Sequence, residues 1–76
     1  MKEILETIIL NLVDNKEQVT INSRDEERAT VFEVKVADTD MGKVIGREGK
    51  IAAAIRTVMK ALAAKEQKRV SVEFIG

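Results

Sequence analysis

The stretch that most constrains this chain is Gly42-Lys43-Val44-Ile45-Gly46-Arg47-Glu48-Gly49-Lys50-Ile51. Three of the four glycines in the chain fall inside it. Gly46 and Gly49 bracket one basic and one acidic residue. The apolar pair Val44 and Ile45 precedes them, and Ile51 opens an alanine-rich run with helical character. Glycine has no Cβ, so its backbone can turn sharply and another polymer can approach closely. A helix beginning at Gly49 or Lys50 has first N–H groups with no partner inside the helix, and these favour an anion. With Lys43, Arg47 and Lys50 alongside, the pattern predicts a turn between two helices that can cradle phosphate.

Other glycine-loop chemistries fail on spacing. A phosphate loop of the Gly-x-x-x-x-Gly-Lys-Ser/Thr kind needs glycine at 44 and a hydroxyl at 51, where this chain has Val44 and Ile51. A dinucleotide fingerprint would also need glycine at 44. A plain alternative also exists for Gly46 and Gly49, as a helix cap and tight turn with no ligand.

Hydrophobic periodicity places elements on either side. Ile4, Leu5, Ile8, Ile9 and Leu12 recur at helical spacing and predict a helix over Lys2 to Val13. Leu10 and Val13 fall outside its main stripe and are candidates for cover by neighbouring chain or for a partner interface. Val19 to Asn22 alternates as a short strand, and Ser23 to Arg28 reads as a charged loop. Thr30 to Ala37 is the clearest strand, with Phe32, Val34 and Val36 on one face. Asp38-Thr39-Asp40 supplies cap chemistry for a short helix ending near Ile45. A second long helix runs from Lys50 to about Glu66, with Ile51, Ile55, Val58 and Leu62 in one stripe and Met59 and Ala54 beside it. Arg56 and Lys60 fall on its far face with Ala53, Thr57 and Ala64. Gln67-Lys68-Arg69 reads as a basic turn, and Val70, Val72 and Phe74 alternate in a last strand. The fold class is therefore α+β, in the order helix, strand, strand, helix, helix, strand. A three-stranded mixed sheet with helices packed on one face is expected, because the helical crossover between the last two strands suits parallel neighbours.

Val44-Ile45-Gly46-Arg47-Glu48-Gly49-Lys50-Ile51 resembles the V-I-G-x-x-G-x-I signature of KH RNA-binding domains. The element order resembles their type II arrangement, in which the extra helix and strand precede the core. The order and the run Met41 to Lys60 are similar to the small bacterial single-domain KH proteins of the KhpA type. The resemblance implies one KH domain over residues 1–76 that binds single-stranded RNA with little sequence preference and acts post-transcriptionally, as a regulator or an RNA chaperone subunit. It makes Gly46 and Gly49 the frame of the loop and Arg47 and Glu48 its variable positions. Glu48 departs from the usual pattern, because a carboxylate repels phosphate. Val44, Ile45 and Ile51, with Val70 and Val72, would help floor a groove for bases. Arg56 and Lys60, one turn apart on a helix, either extend a phosphate track or form a solvated face. The implied protein partner is a second copy, or a KhpB (Jag-like) KH protein. The rival reading is a dimerisation or adaptor module with little RNA contact of its own.

Composition narrows the remaining classes. Histidine and cysteine are absent, which removes the commonest general base, the commonest zinc ligand and all thiolate chemistry. No catalytic constellation is visible, so no enzyme, cofactor or small-molecule substrate is expected. No apolar run reaches the ~18 residues of a membrane span. Met1-Lys2-Glu3 leads straight into an amphipathic pattern without a signal-peptide layout. A cytoplasmic protein is expected. Trp and Tyr are also absent, and Phe32 and Phe74 read as core, so no aromatic stacking platform is expected. The net charge of zero hides an asymmetry. Residues 1–40 carry five basic and ten acidic side chains, and residues 41–76 carry eight and three. The glycine loop lies in the basic half, which favours docking of a polyanion on one side.

Overall fold

A computed structural model describes residues 1–75. Its helices are α1 (Lys2–Leu12), α2 (Met41–Ile45) and α3 (Lys50–Lys65), and its strands are β1 (Thr20–Glu26), β2 (Ala29–Lys35) and β3 (Arg69–Ile75). Short 3-10 turns cover Lys16–Gln18, Asp38–Asp40 and Arg47–Gly49. The order is the expected one. The sheet runs β1-β2-β3, with β1 antiparallel and β3 parallel to β2. It is therefore mixed, and β3 is an edge whose outer backbone groups have no strand to pair with.

All three helices send apolar side chains onto one face of the sheet. Leu5 and Ile9 from α1, Val44 from α2, and Ile55 and Met59 from α3 meet Ile21, Phe32, Val34 and Val72. Burying each large aliphatic side chain contributes about 1.5–3 kcal/mol. That contribution holds the five-residue α2, which is too short to persist alone.

Two element ends and the buried face of one helix depart from the sequence pattern. Ser23 to Glu26 continues β1 instead of forming a loop, and Glu27-Arg28 alone turns the chain, since Glu26 pairs with Ala29. Past Ile21 the side chains of β1 are all exposed, so no alternation marks the strand. Cross-strand polar pairs stabilise it instead: Arg24 reaches Glu33 at 3.2 Å and Thr30 donates to Asp25 at 3.0 Å. The first helix stops at Leu12, and Val13 turns extended (φ −97°, ψ 157°) and is buried in the core. The buried stripe of α3 is Ala52, Ile55, Met59 and Ala63, while Val58 is 43% exposed. The expected stripe is thus rotated toward Met59, which is buried with Ile55 while Ala52 and Ala63 extend the buried face at either end.

α3 ends without glycine. Lys68 N–H donates to Ala63 C=O at 2.9 Å and Gln67 N–H to Ala64 C=O at 3.0 Å, around a left-handed Gln67 (φ 57°). This is the double closure that glycine usually serves. It brings Arg69 N–H within 2.9 Å of Arg28 C=O and sets the register of β3 on β2.

Candidate nucleic-acid interface

The loop between α2 and α3 is built from strained backbone. Gly46 has φ 77° and ψ 172°, Glu48 has φ 56° and ψ 24°, and Gly49 has φ 75° and ψ 14°. At Gly46 a Cβ would fall 2.6 Å from Cγ1 of Ile51 and 2.9 Å from the Ile51 backbone nitrogen. Only glycine fits there, on both conformation and space. At Gly49 a Cβ would meet nothing within 4 Å, so that glycine answers to its left-handed φ alone. Glu48 takes the same left-handed region with a side chain, which is costly for a residue that is not glycine.

This backbone sorts the loop's N–H groups. Gly46 N–H donates to Gly42 C=O at 2.9 Å, Gly49 N–H to Gly46 C=O at 3.1 Å, and Lys50 N–H to Arg47 C=O. Among the described residues, Arg47 and Glu48 N–H have no backbone or side-chain acceptor. Both residues are exposed. Two adjacent open donors beside the start of a sixteen-residue helix suit an anionic oxygen.

The sequence-predicted residues divide in the structure. Arg47 and Lys50 are exposed cations at the loop, and Ile45 and Ile51 are half-buried behind it. Val44 is fully buried and presents no surface to a ligand. Lys43 is exposed, yet its ammonium bonds to the Asp14 carboxylate and lies 3.5 Å from Asp40. The Asp14 bond, with Asp40 behind it, raises the Lys43 pKa and keeps it charged. Its charge is already answered within the protein.

Asp40 ties this corner together. Its carboxylate is 1% exposed and accepts N–H bonds from Asn15 at 2.9 Å and Asp14 at 3.2 Å, with the Asn15 side-chain amide at 3.2 Å. The Asn15 N–H bond leads in holding Asp40 below its ordinary pKa, against the opposing cost of burial. The carboxylate thus joins the end of α1 to the start of α2, and α2 carries the loop. The sequence pointed to Asp40 as a helix cap, but its side chain spans 25 residues of chain instead.

The flank of α3 that faces β3 is polar and cationic. Arg56, Lys60, Val70, Ser71 and Val72 line a cleft of about 300 Å³ there. Lys68 and Arg69 continue its basic rim. Arg56 Nε donates to Val72 C=O at 3.2 Å, and its guanidinium carbon lies 5.3 Å from the centre of the Phe74 ring. The other flank is apolar. Ile8 and Leu12 of α1, with Ile51, Ala54 and Val58 of α3, line an open groove of about 330 Å³. Its signal in the sequence was the Ile4-Ile8-Leu12 spacing. Leu10 is only half-exposed and Val13 is buried, so neither carries that face.

The family description "KhpA/KhpB, KH domain" matches residues 2–74. The chain belongs to that family. It is 55% identical over 75 residues to "RNA-binding protein KhpA" of Clostridium acetobutylicum, covering 99% of this chain and 100% of the relative. It is 53% identical, with the same coverage, to the protein of that name from Clostridium perfringens. The Aquifex aeolicus protein of that name is 40% identical, covering 99% of this chain and 95% of its own length. No solved structure matches. Membership of this KH family places the chain in a family of binding domains and not of enzymes, and the mixed sheet with three helices on one face is its KH-type fold. Among the described residues no helix is long and apolar enough to cross a membrane.

Proposed function

We propose that this chain binds single-stranded RNA, weakly and with little overall sequence preference, as a post-transcriptional regulator or RNA chaperone subunit in the cytoplasm. The whole chain acts as one KH domain in this reading. The observation that carries it is the pair of open N–H groups at Arg47 and Glu48, presented by a turn that requires glycine at 46. Arg47 and Lys50 add charge at the phosphate, and the α3–β3 cleft receives bases beside it. Lys43 acts indirectly, by holding α2 to α1 through Asp14 and Asp40. The similar proteins named for RNA binding support the same reading.

The test is Arg47→Asp with Glu48→Asp. Both positions are exposed, so stability should change by about 0.5 kcal/mol or less per site. Two carboxylates at the phosphate position should sharply lower affinity for a short unstructured RNA, read by fluorescence anisotropy. With about three phosphates neutralised, log affinity in the parent chain should fall with log salt at a slope near −2. Unchanged affinity in the folded double variant would reduce the loop to a turn.

A second reading rests on the apolar groove. A small domain gains stability by covering such a face. We propose that a second copy of this chain packs there through Ile8, Leu12, Ala54 and Val58. Sedimentation equilibrium at micromolar concentration should then show mass above one chain. A monomer that gains mass only with a KhpB-type KH protein would replace the homodimer with a heterodimer.

A further inference from the structure

Another cleft lies at the end of α3 far from the glycine loop. Glu27, Arg28, Ala29, Gln67 and Arg69 line it, around a volume of about 470 Å³. One wall is the two-residue turn between β1 and β2, and the other is the turn from α3 into β3. Arg69 N–H donates to Arg28 C=O at 2.9 Å and ties the two walls together. Each wall holds a left-handed residue that is not glycine, Arg28 at φ 61° and Gln67 at φ 57°. Glycine or asparagine fills such positions at lower cost, in a hairpin turn as at a helix end. This chain carries long polar side chains there instead, and both are exposed. They find no partner inside the protein. Among the described residues the ion pairs use Arg24, Lys43 and the amino terminus, and the side-chain hydrogen bonds given by cations are those of Arg24, Lys43 and Arg56. Arg28 and Arg69 therefore keep both guanidinium forks open. Gln67 and Lys68 N–H close the carbonyls of Ala64 and Ala63 at the negative end of α3, which blunts the field that would oppose an anion.

We infer that this corner is a second phosphate site, remote from the glycine loop, which takes the backbone of an RNA strand that runs on past the α3–β3 cleft. Guanidinium forks match phosphate oxygens in bidentate fashion. The route is continuous. Lys60 and Val70 line the α3–β3 cleft and also the neighbouring cleft of Lys68 and Arg69, and Arg69 lines the corner as well. That continuity favours a nucleic acid over an acidic protein segment, because it joins the corner to cations already placed along the strand. Glu27 stands at the same cleft and opposes an anion, so the corner adds an increment of affinity and not a tight clamp. The sixteen residues of α3 separate the corner from the loop by about 24 Å. A KH loop clamps about four nucleotides, so the corner is filled by nucleotides added beyond them. The inference rests on the RNA-binding reading and lengthens the footprint of the strand on the domain.

The experiment compares a uridine tetramer with a uridine octamer by fluorescence anisotropy, in the parent chain, in Arg28→Asn and in Glu27→Gln. Asparagine tolerates the left-handed region, so Arg28→Asn removes the charge without straining the turn, and melting curves check that both variants fold. With two further phosphates neutralised, log affinity in the parent should fall with log salt more steeply for the octamer than for the tetramer, by about 1.4. Arg28→Asn should lower octamer affinity about fivefold, halve that excess slope and leave the tetramer unchanged. Glu27→Gln should raise octamer affinity about twofold and again leave the tetramer alone. The slopes of the parent need no variant, so they decide the question whether or not a variant folds. Equal slopes for the two lengths overturn the corner site and leave RNA binding at the loop standing. An equal loss at both lengths in Arg28→Asn also overturns it, since the arginine then acts through the field of the whole domain. A glutamate octapeptide that binds the parent and not Arg28→Asn, with RNA affinity unchanged by that substitution, would give the corner to an acidic protein segment instead. No binding of either RNA overturns the RNA-binding reading and this site together.

Discussion

The two flanks of α3 present opposite chemistry from one helix. Toward β3 lie Arg56 and Lys60, with Ser71 and the open edge of the sheet. Toward α1 lie Ile51, Ala54 and Val58, facing Ile8 and Leu12. The backbone is regular along both, so the contrast comes from side chains and from what each flank meets. An edge strand brings unpaired polar groups that attract cations and polar ligands. A neighbouring helix offers only side chains, and here these are aliphatic. One sixteen-residue helix thus presents two flanks of opposite character, and Lys50 of the loop stands at the edge of the apolar one.

The largest effect should come where both flanks begin. Gly46→Ala drives a methyl group into Ile51, which lies on the apolar flank, and distorts the loop on the basic side. Strain and overlap together should cost about 2–4 kcal/mol, and RNA binding should be lost with the loop geometry. Gly49→Ala, free of overlap, should cost only about 1 kcal/mol. Denaturant titration of the two variants checks the difference, and equal losses would mean that Ile51 does not constrain the turn.

Asp40 tests whether the apolar flank depends on the clasp between α1 and α2. Its pKa is lowered by folding, so its charged form contributes stability above the ordinary value of 3.8, and that contribution is lost as pH falls below it. Asp40→Asn should lower the melting temperature by about 5–15 °C at pH 7, because the Asp14 and Asn15 N–H groups lose a charged acceptor. The gap between the two proteins should close as pH falls below 3.8. A gap that stays constant down to pH 2 would show that the charge is not what holds the corner.

Val58→Asp should separate the flanks. Val58 is 43% exposed, so the single chain should fold as before. A carboxylate in the apolar groove should weaken self-association by about tenfold or more, while each domain keeps its affinity for a short RNA. Lys60→Glu is the converse and the smallest change. It should lower RNA affinity several-fold, reduce the magnitude of the salt slope by about 0.7 and leave association untouched. If either substitution moves both readouts equally, the flanks are one surface.

Much of this was legible in the chain. Period-3.6 patterns located the two long helices, period-2 patterns located the three strands in part or whole, cap chemistry located the short α2, and the Gly46-x-x-Gly49 spacing located the loop. The pattern failed where its cause was absent. Ser23 to Glu26 has no buried face, so its strand left no alternation. Gln67 closes α3 in a left-handed conformation without the glycine that would have marked it. Charge alone placed Lys43 at the phosphate, while the fold brought Asp14, 29 residues away in sequence, to its ammonium.

The sequence by itself determined the order of elements, the need for a tight turn at residues 46–49 and the basic character of the second half. These follow from local terms: side-chain periodicity, glycine's conformational range and counted charge. Only the tertiary structure decided which cations remain free, because pairing requires groups distant in sequence to meet. It also decided the rotation of α3, which no periodicity fixes to better than the width of a flank. That rotation buries Ala52, Ile55, Met59 and Ala63, leaves Val58 outside and brings Arg56 to the Val72 carbonyl. Close packing against the sheet sets that angle, and the chemistry of both flanks follows from it.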